Sequence, residues 1–264
     1  MNKDKKVVEL KKDGNIGIIR FIDPPLNLCT IAQNMQLAKI LDDIDNDSSI
    51  RVVVFCAEGK FFGAGGDAKE MPLFVPEMYD YERLSNYGAT PYIVEHISEL
   101  RVPTIAAIDG GAYGGSLEKA LACDIRIAAK GIVMSLTEIK FGSFPGAGGV
   151  SRLIELVGPS KAIEHMLRPG KVTADEWLQC GVVNALAETG TAYDLAMEWA
   201  KSIVEMPESG ILAVKEAVLN YMRPKYEQYW EKQQKLSKRL CESDEMMKNC
   251  QVFLDKKGVF NKKD

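Results

Sequence analysis

Only two histidines occur in the 264 residues, and none of the six cysteines forms a C-x-x-C pair. The usual imidazole and thiolate cages for transition metals lack their parts, so no metal site is expected. The cysteines (Cys29, Cys56, Cys123, Cys180, Cys241, Cys250) are scattered, several in apolar runs. That pattern fits reduced, core-filling thiols in a cytoplasmic protein. The first residues, "MNKDKKVVEL", lack the apolar stretch of a signal peptide, and no later run approaches a membrane span. Neither secretion nor a membrane partner is expected. A formal charge of −4 leaves no basic footprint for nucleic acid. G-x-G-x-x-G, the P-loop and G-x-S-x-G are all missing, which removes the nucleotide fingerprints and the usual serine-hydrolase elbow.

What is present is an ordinary globular balance. With 46% hydrophobic and 27% charged residues, the chain can bury the core of one large α/β domain, or of one domain with a helical appendage. "IGIIRFI" (16–22), "RVVVFC" (51–56) and "PTIAAID" (103–109) are short apolar runs that predict strands, the last covered on both faces. Leu37, Ile40, Leu41 and Ile44 recur at helical spacing between the first two. Strands separated by helices imply parallel pairing with crossover connections. Thr173 and Glu176 form a capping box, and Gly181 a stop. Beyond residue 190 the strand signal vanishes. "TAYDLAMEWAKSIVEM", "ESGILAVKEAVLNYM" and the polar stretch from Tyr226 to Phe253 read as helices, which divides the chain into a core at 1–190 and a helical region at 191–264. No internal sequence repeat stands out.

Two glycine-rich bends follow two of the strands. In "GKFFGAGGDAKEM", Asp67 and Glu70 form a D-x-x-E pair that predicts a helix starting just after Gly66. In "GGAYGGSLEKALAC", Gly115 or Ser116 would occupy the first turn of a helix. Each bend offers unpaired backbone N–H groups at a positive helix end, and two converging on one oxygen would make an oxyanion hole. Glu118 shares a helix face with Leu121 and Ala122, where a carboxylate must be paired, hydrogen-bonded or used. Lys119 points about a quarter turn away and reads as a solvent-reaching stem, or as a charge that tunes Glu118. Glu138 lies between apolar residues before a third glycine bend. Singly, each glutamate fits a structural ion pair. Together, near two such bends, they suit proton transfer beside a carbonyl.

"FFGAGGDAKEM", "AAIDGGAYGGSLEKALACDIRIAA" and "SLTEIKFGSFPGAGGVSRL" resemble, in order and spacing, the three signature blocks of the crotonase family of enoyl-CoA hydratases and isomerases. The likeness spans roughly residues 15 to 190. It implies an α/β fold, a spiral of ββα units with a helical C-terminal region that builds trimers, often stacked as hexamers. It also implies an acyl-CoA substrate, with coenzyme A as part of that substrate and no separate cofactor. By resemblance, Gly66 and Gly115 are the two oxyanion donors, and Gly66, Asp67, Ala68 and Lys69 form the acyl-CoA contact loop, with Lys69 facing phosphate. Glu118 falls on the first catalytic glutamate, Glu138 on the second, and Gly146 on a backbone donor to the attacking water.

Having both glutamates favours hydration, Glu118 activating water and Glu138 serving the α-carbon. Isomerisation or thioester hydrolysis by the same enolate chemistry is the alternative, and a non-catalytic acyl-CoA or macromolecule binder is the rival from another class. Three departures stand out. Lys119 replaces a usual apolar residue. "PPLNL" (24–28) is short and lacks a lysine. The stretch from Met71 to Arg101 is long and carries Phe74, Tyr79, Tyr81, Tyr87 and Tyr92, which predicts either helix packing or a pocket for a bulky or cyclic acyl group.

Overall fold

A computed structural model describes residues 5–70 and 89–260. It opens with an antiparallel hairpin, β1 (Val8–Asp13) and β2 (Ile16–Phe21), followed by α1 (Ile31–Asp45). Three stretches of one design come next. The first is β3 (Val52–Ala57), β4 (Phe61–Gly63) and α2 (Thr90–Glu99); the second is β5 (Thr104–Ile108), β6 (Gly111–Tyr113) and α3 (Gly115–Ala122). The third is β7 (Ile125–Ala129), β8 (Met134–Ser135) and a 3-10 turn (Glu138–Phe141) that leads into α4 (Gly149–Leu167). The first strand of each stretch joins a large sheet of order β1-β2-β3-β5-β7-β9, and the second joins a small sheet of order β4-β6-β8. Every pairing between these strands except the opening hairpin is parallel. This is the expected spiral of ββα units.

The chain continues through α5 (Ala174–Gln179), β9 (Ala185–Ala187), α6 (Ala192–Val204), α7 (Glu208–Cys241) and α8 (Asp244–Phe260). Strand pattern explains the layering. In β3, Val53 and Phe55 enter a core shared with Leu37, Leu41 and Ile44 of α1 and with Ile93 and Ile97 of α2. Val52, Val54 and Cys56 face the other way, onto Ala192, Ala196 and Ala200 of α6. A strand covered on both faces reads as a continuous apolar run because alternation has nothing polar to show. Helix α6, within the 191–264 region, therefore packs on the sheet. Asp109, at the end of β5, accepts from the N–H groups of Ala192 (2.8 Å) and Tyr193 (3.2 Å), which fixes the start of α6.

Three local expectations change. Residues Ala68–Glu70 form a turn, not the start of a helix after Gly66, and Asp67 Oδ1 accepts from Lys69 N at 3.0 Å. Glu70 completes no capping box there; its Oε2 accepts from Ile31 N (2.8 Å) at the start of α1. The orphan N–H groups of another helix end outcompete the local pattern. At the C-terminal end, α7 runs unbroken for 34 residues through Pro224 to Cys241, so the helical stretch from Tyr226 to Phe253 is split at Glu242–Ser243. The capping box of Thr173 and Glu176 forms as expected on α5, with Gly181 just beyond its end.

Candidate active site

The two glycine bends meet behind one residue. Ser116, in the first turn of α3, has its Oγ 3.3 Å from Gly65 N as acceptor and 3.1 Å from Cys29 Sγ. Cys29 N in turn donates to Gly65 O at 2.9 Å, so the bend after β4 is laced both to the α1 approach and to α3. Close approach demands the glycines. A Cβ at Gly63 would lie 2.2 Å from Ser116 Oγ, inside any tolerable contact. Gly66 and Gly115 both line a single open cavity of about 1120 Å³. As the first helical residue of α3, Gly115 has an N–H with no acceptor inside the helix. Asp67, Ala68 and Lys69 line the same cavity, Lys69 exposed at its rim.

Glu118 is 4% exposed and sits one turn into α3. Its Oε1 accepts from Ala147 N and from Gly149 N, each at 2.9 Å. Gly149 is the first residue of α4, so this carboxylate lies at the positive end of a helix, where charge is favoured. Burial pushes its pKa up; the two amides and the Arg152 guanidinium pull against that. Glu138 is treated differently. Neither carboxyl oxygen of Glu138 has a hydrogen-bond partner among the described residues, although both are buried. Burial raises its pKa, and the charge of Glu118 raises it further. Its Oε1 lies 3.3 Å from where a Cβ on Gly114 would stand, a tight contact, and Gly114 has φ +52°, which favours glycine there. Burial pushes both carboxyls up, Glu118 to about 7 and Glu138 to about 8, so when the pair carries one charge the amide-held Glu118 is the favoured place for it and Glu138 the favoured place for the proton.

That sorting has a consequence for stability. Between its ordinary value of 4.5 and its raised folded value, Glu138 keeps a proton in the folded chain that the unfolded chain has lost. Stability therefore falls as pH rises through that window, with a limiting slope of about 1.4 kcal/mol per pH unit. Glu138→Gln is expected to remove this decline, so its advantage over the wild type in urea midpoint grows from about pH 5 to about pH 8. Parallel curves for the two proteins would show that Glu138 is not a buried neutral acid.

Gly146 lines the cavity, but its N–H donates to Phe144 O at 2.7 Å and is not free for a water. The amides of this bend that serve the site are those of Ala147 and Gly149, which the sequence reading missed; a glycine bend just before a helix was the available signal. Lys119 neither reaches solvent nor pairs with Glu118. It is 2% exposed, and its Nζ donates to Gln33 Oε1 at 2.7 Å. Leu26 and Leu28, from the short "PPLNL" stretch, wall the cavity without a lysine; Lys140 and Lys256 supply cations at its lining instead. Of the five aromatic residues singled out between Met71 and Arg101, Phe74, Tyr79, Tyr81 and Tyr87 lie outside the described residues. Tyr92 packs on the core and stacks edge-on against His96, 6.0 Å between ring centres, away from the cavity. Among the described residues no cluster of His, Cys, Asp or Glu could hold a metal, and no helix is long and apolar enough to cross a membrane.

Comparison with known proteins agrees with this geometry. Residues 11–263 match the family model described as enoyl-CoA hydratase/isomerase. The chain is 30% identical to a probable enoyl-CoA hydratase of Bacillus subtilis, covering 95% of this chain and 96% of that one. It is 34% identical to the probable enoyl-CoA hydratase 1, peroxisomal, of Arabidopsis thaliana, over 81% of this chain and 79% of the other. The crystal structure of an enoyl-CoA hydratase from Bacillus halodurans superposes with a TM-score of 0.84 at 20% identity, over 94% of this chain and all 100% of that one, which shows the shared fold. With its paired buried glutamates, its two laced glycine bends and this agreement along nearly its whole length, the chain belongs to the enoyl-CoA hydratase/isomerase family.

Proposed function

We propose that this protein adds water across the 2,3 double bond of an acyl-CoA thioester. The observation that carries the reading is the unequal treatment of the two carboxylates. Glu118, charged and amide-held, takes a proton from a water as its oxygen attacks C3. Electrons move through the double bond onto the thioester oxygen, and the resulting enolate rests on the N–H groups of Gly66 and Gly115. Glu138, carrying the proton, then delivers it to C2. The glutamates end with their protons exchanged and reset through solvent. Coenzyme A enters only as part of the substrate; the lysines at positions 69, 140 and 256 favour a polyanionic handle at the mouth. Phe141, Phe144 and Phe253 in the lining favour a bulky or cyclic acyl group.

Isomerisation is the second reading, because Glu138 and the hole alone could shift a double bond. Mass analysis of products from a panel of linear and cyclic 2-enoyl-CoAs separates the cases. Gain of one water supports hydration; unchanged mass with a moved double bond supports isomerisation; release of free CoA supports hydrolysis. Exposed Val214, Val218 and Tyr221 recur at helical spacing on α7, which supports self-association as a trimer or hexamer. Sedimentation at micromolar concentration tests it, and a monomer there would exclude it.

A further inference from the structure

We infer that Lys119 is a positioning residue for the enolate: a buried ammonium behind the oxyanion hole that favours the charged intermediate over the neutral thioester. The inference rests on the thioester reading above. Lys119 follows Gly115 by four residues in α3, so the two share a helix face, and helical side chains lean back toward the N-terminus. The ammonium accordingly lies toward the end of α3 that presents the Gly115 N–H. Cys29 connects them. Its Sγ is 3.7 Å from where a Cβ on Gly115 would stand, its backbone bridges to Gly66 on the other bend, and its thiol is near enough to Lys119 to favour the ammonium. One residue, Cys29, thus touches the surroundings of the cation and of both proposed oxyanion donors.

The charge is poorly compensated. Around Nζ stand Gln33 of α1, Cys29 and the Phe21 ring of β2, whose centre is 5.6 Å away. Among the described residues no carboxylate pairs with it. Burial pushes its pKa down, with no carboxylate among the described residues beside it to offset the cost. A neutral thioester gives this ammonium little in return; an enolate oxygen across the Cys29 wall gives a great deal, because the intervening medium is dry. Only interactions stronger in the transition state raise kcat. The lysine should therefore act on kcat and leave KM nearly alone.

The test uses the full chain with Lys119→Met, Lys119→Gln and Lys119→Arg. Two readouts are taken: kcat and KM with an enoyl-CoA that the wild type turns over, and the enolate absorbance of bound acetoacetyl-CoA. Lys119→Met is expected to lower kcat by about 10- to 100-fold, less than loss of a direct oxyanion donor, with KM within about twofold. It should also cut the enolate signal without lowering the thermal midpoint, since an apolar side chain replaces a lone buried charge. Lys119→Arg should recover part of the enolate signal. An unchanged enolate signal in Lys119→Met, with or without a lower midpoint, overturns the inference and leaves the lysine a packing element. Should that variant fail to fold, Lys119→Gln, which keeps a polar contact with Gln33 but no charge, is judged by the same signal. A wild type that binds acetoacetyl-CoA as enolate but hydrates nothing in the panel would sink the hydratase reading alone, and the lysine would still be judged. A wild type that binds no enolate overturns both.

Discussion

Glu118→Gln is expected to lower hydration by about 10³-fold while leaving the fold intact. The fold argument comes from the hydrogen bonds. Both amide donors, Ala147 N and Gly149 N, go to the same oxygen, Oε1. A glutamine can place its carbonyl oxygen there and keep both bonds, so its amide group replaces only the oxygen that would accept the water's proton. What disappears is the base. Chemistry that needs only Glu138 and the hole should survive. Exchange of the α-proton of a saturated acyl-CoA with deuterated solvent is therefore expected to persist in Glu118→Gln and to vanish in Glu138→Gln. Retention of double-bond turnover in Glu118→Gln, with no water gained in the wild type, would assign the enzyme to isomerisation. Glu118 would then be a buried carboxylate held by α4 and nothing more.

The contrast between these two glutamates also marks how far the sequence could be read. Strands β2, β3 and β5 were legible because burial on both faces writes itself as unbroken apolar runs, and α1 because Leu37, Leu41 and Ile44 repeat at helical spacing. The small sheet was not, since β4, β6 and β8 are only two or three residues long and leave no pattern. The ββα repeat was therefore invisible as a repeat of sequence and plain in the structure. At the site, the glycine bends and both glutamates were visible as residue types in an order. Their charge states were not, because they depend on partners far away in the chain: Glu118 on amides 29 and 31 residues later. Glu70 shows the same blindness, its carboxylate serving a helix start 39 residues earlier. Lys119 is the sharpest case. Nothing local distinguishes a lysine that snorkels from one sealed under Phe21 and Gln33; only the packing of α1 and β2 over α3 decides it.

Removing a backbone donor is harder than removing a side chain, yet position 115 permits it. Gly115→Pro is expected to reduce kcat by about 10²- to 10³-fold, the loss typical of one oxyanion donor, with the helix undisturbed. Proline is well tolerated as the first residue of a helix, where the missing N–H has no intrahelical partner and the fixed φ already suits the turn. The residue before it, Gly114, has φ +52° and ψ −134°, an extended mirror-image conformation that is not the helical one a following proline disfavours. Around position 115 a new Cβ would meet Thr90 Cγ2 at 3.2 Å and Cys29 Sγ at 3.7 Å, a tight fit on one side that a threonine methyl can relieve. The thermal midpoint should therefore fall by only a few degrees while turnover collapses. The enolate absorbance of bound acetoacetyl-CoA should collapse with it, because the same N–H that speeds the reaction must hold the intermediate. A Gly115→Pro protein that is folded and retains wild-type kcat would mean that this amide faces no developing charge. The thioester oxygen would then have to sit elsewhere in the cavity, and the roles of Glu118 and Glu138, which are placed relative to it, would have to be assigned again.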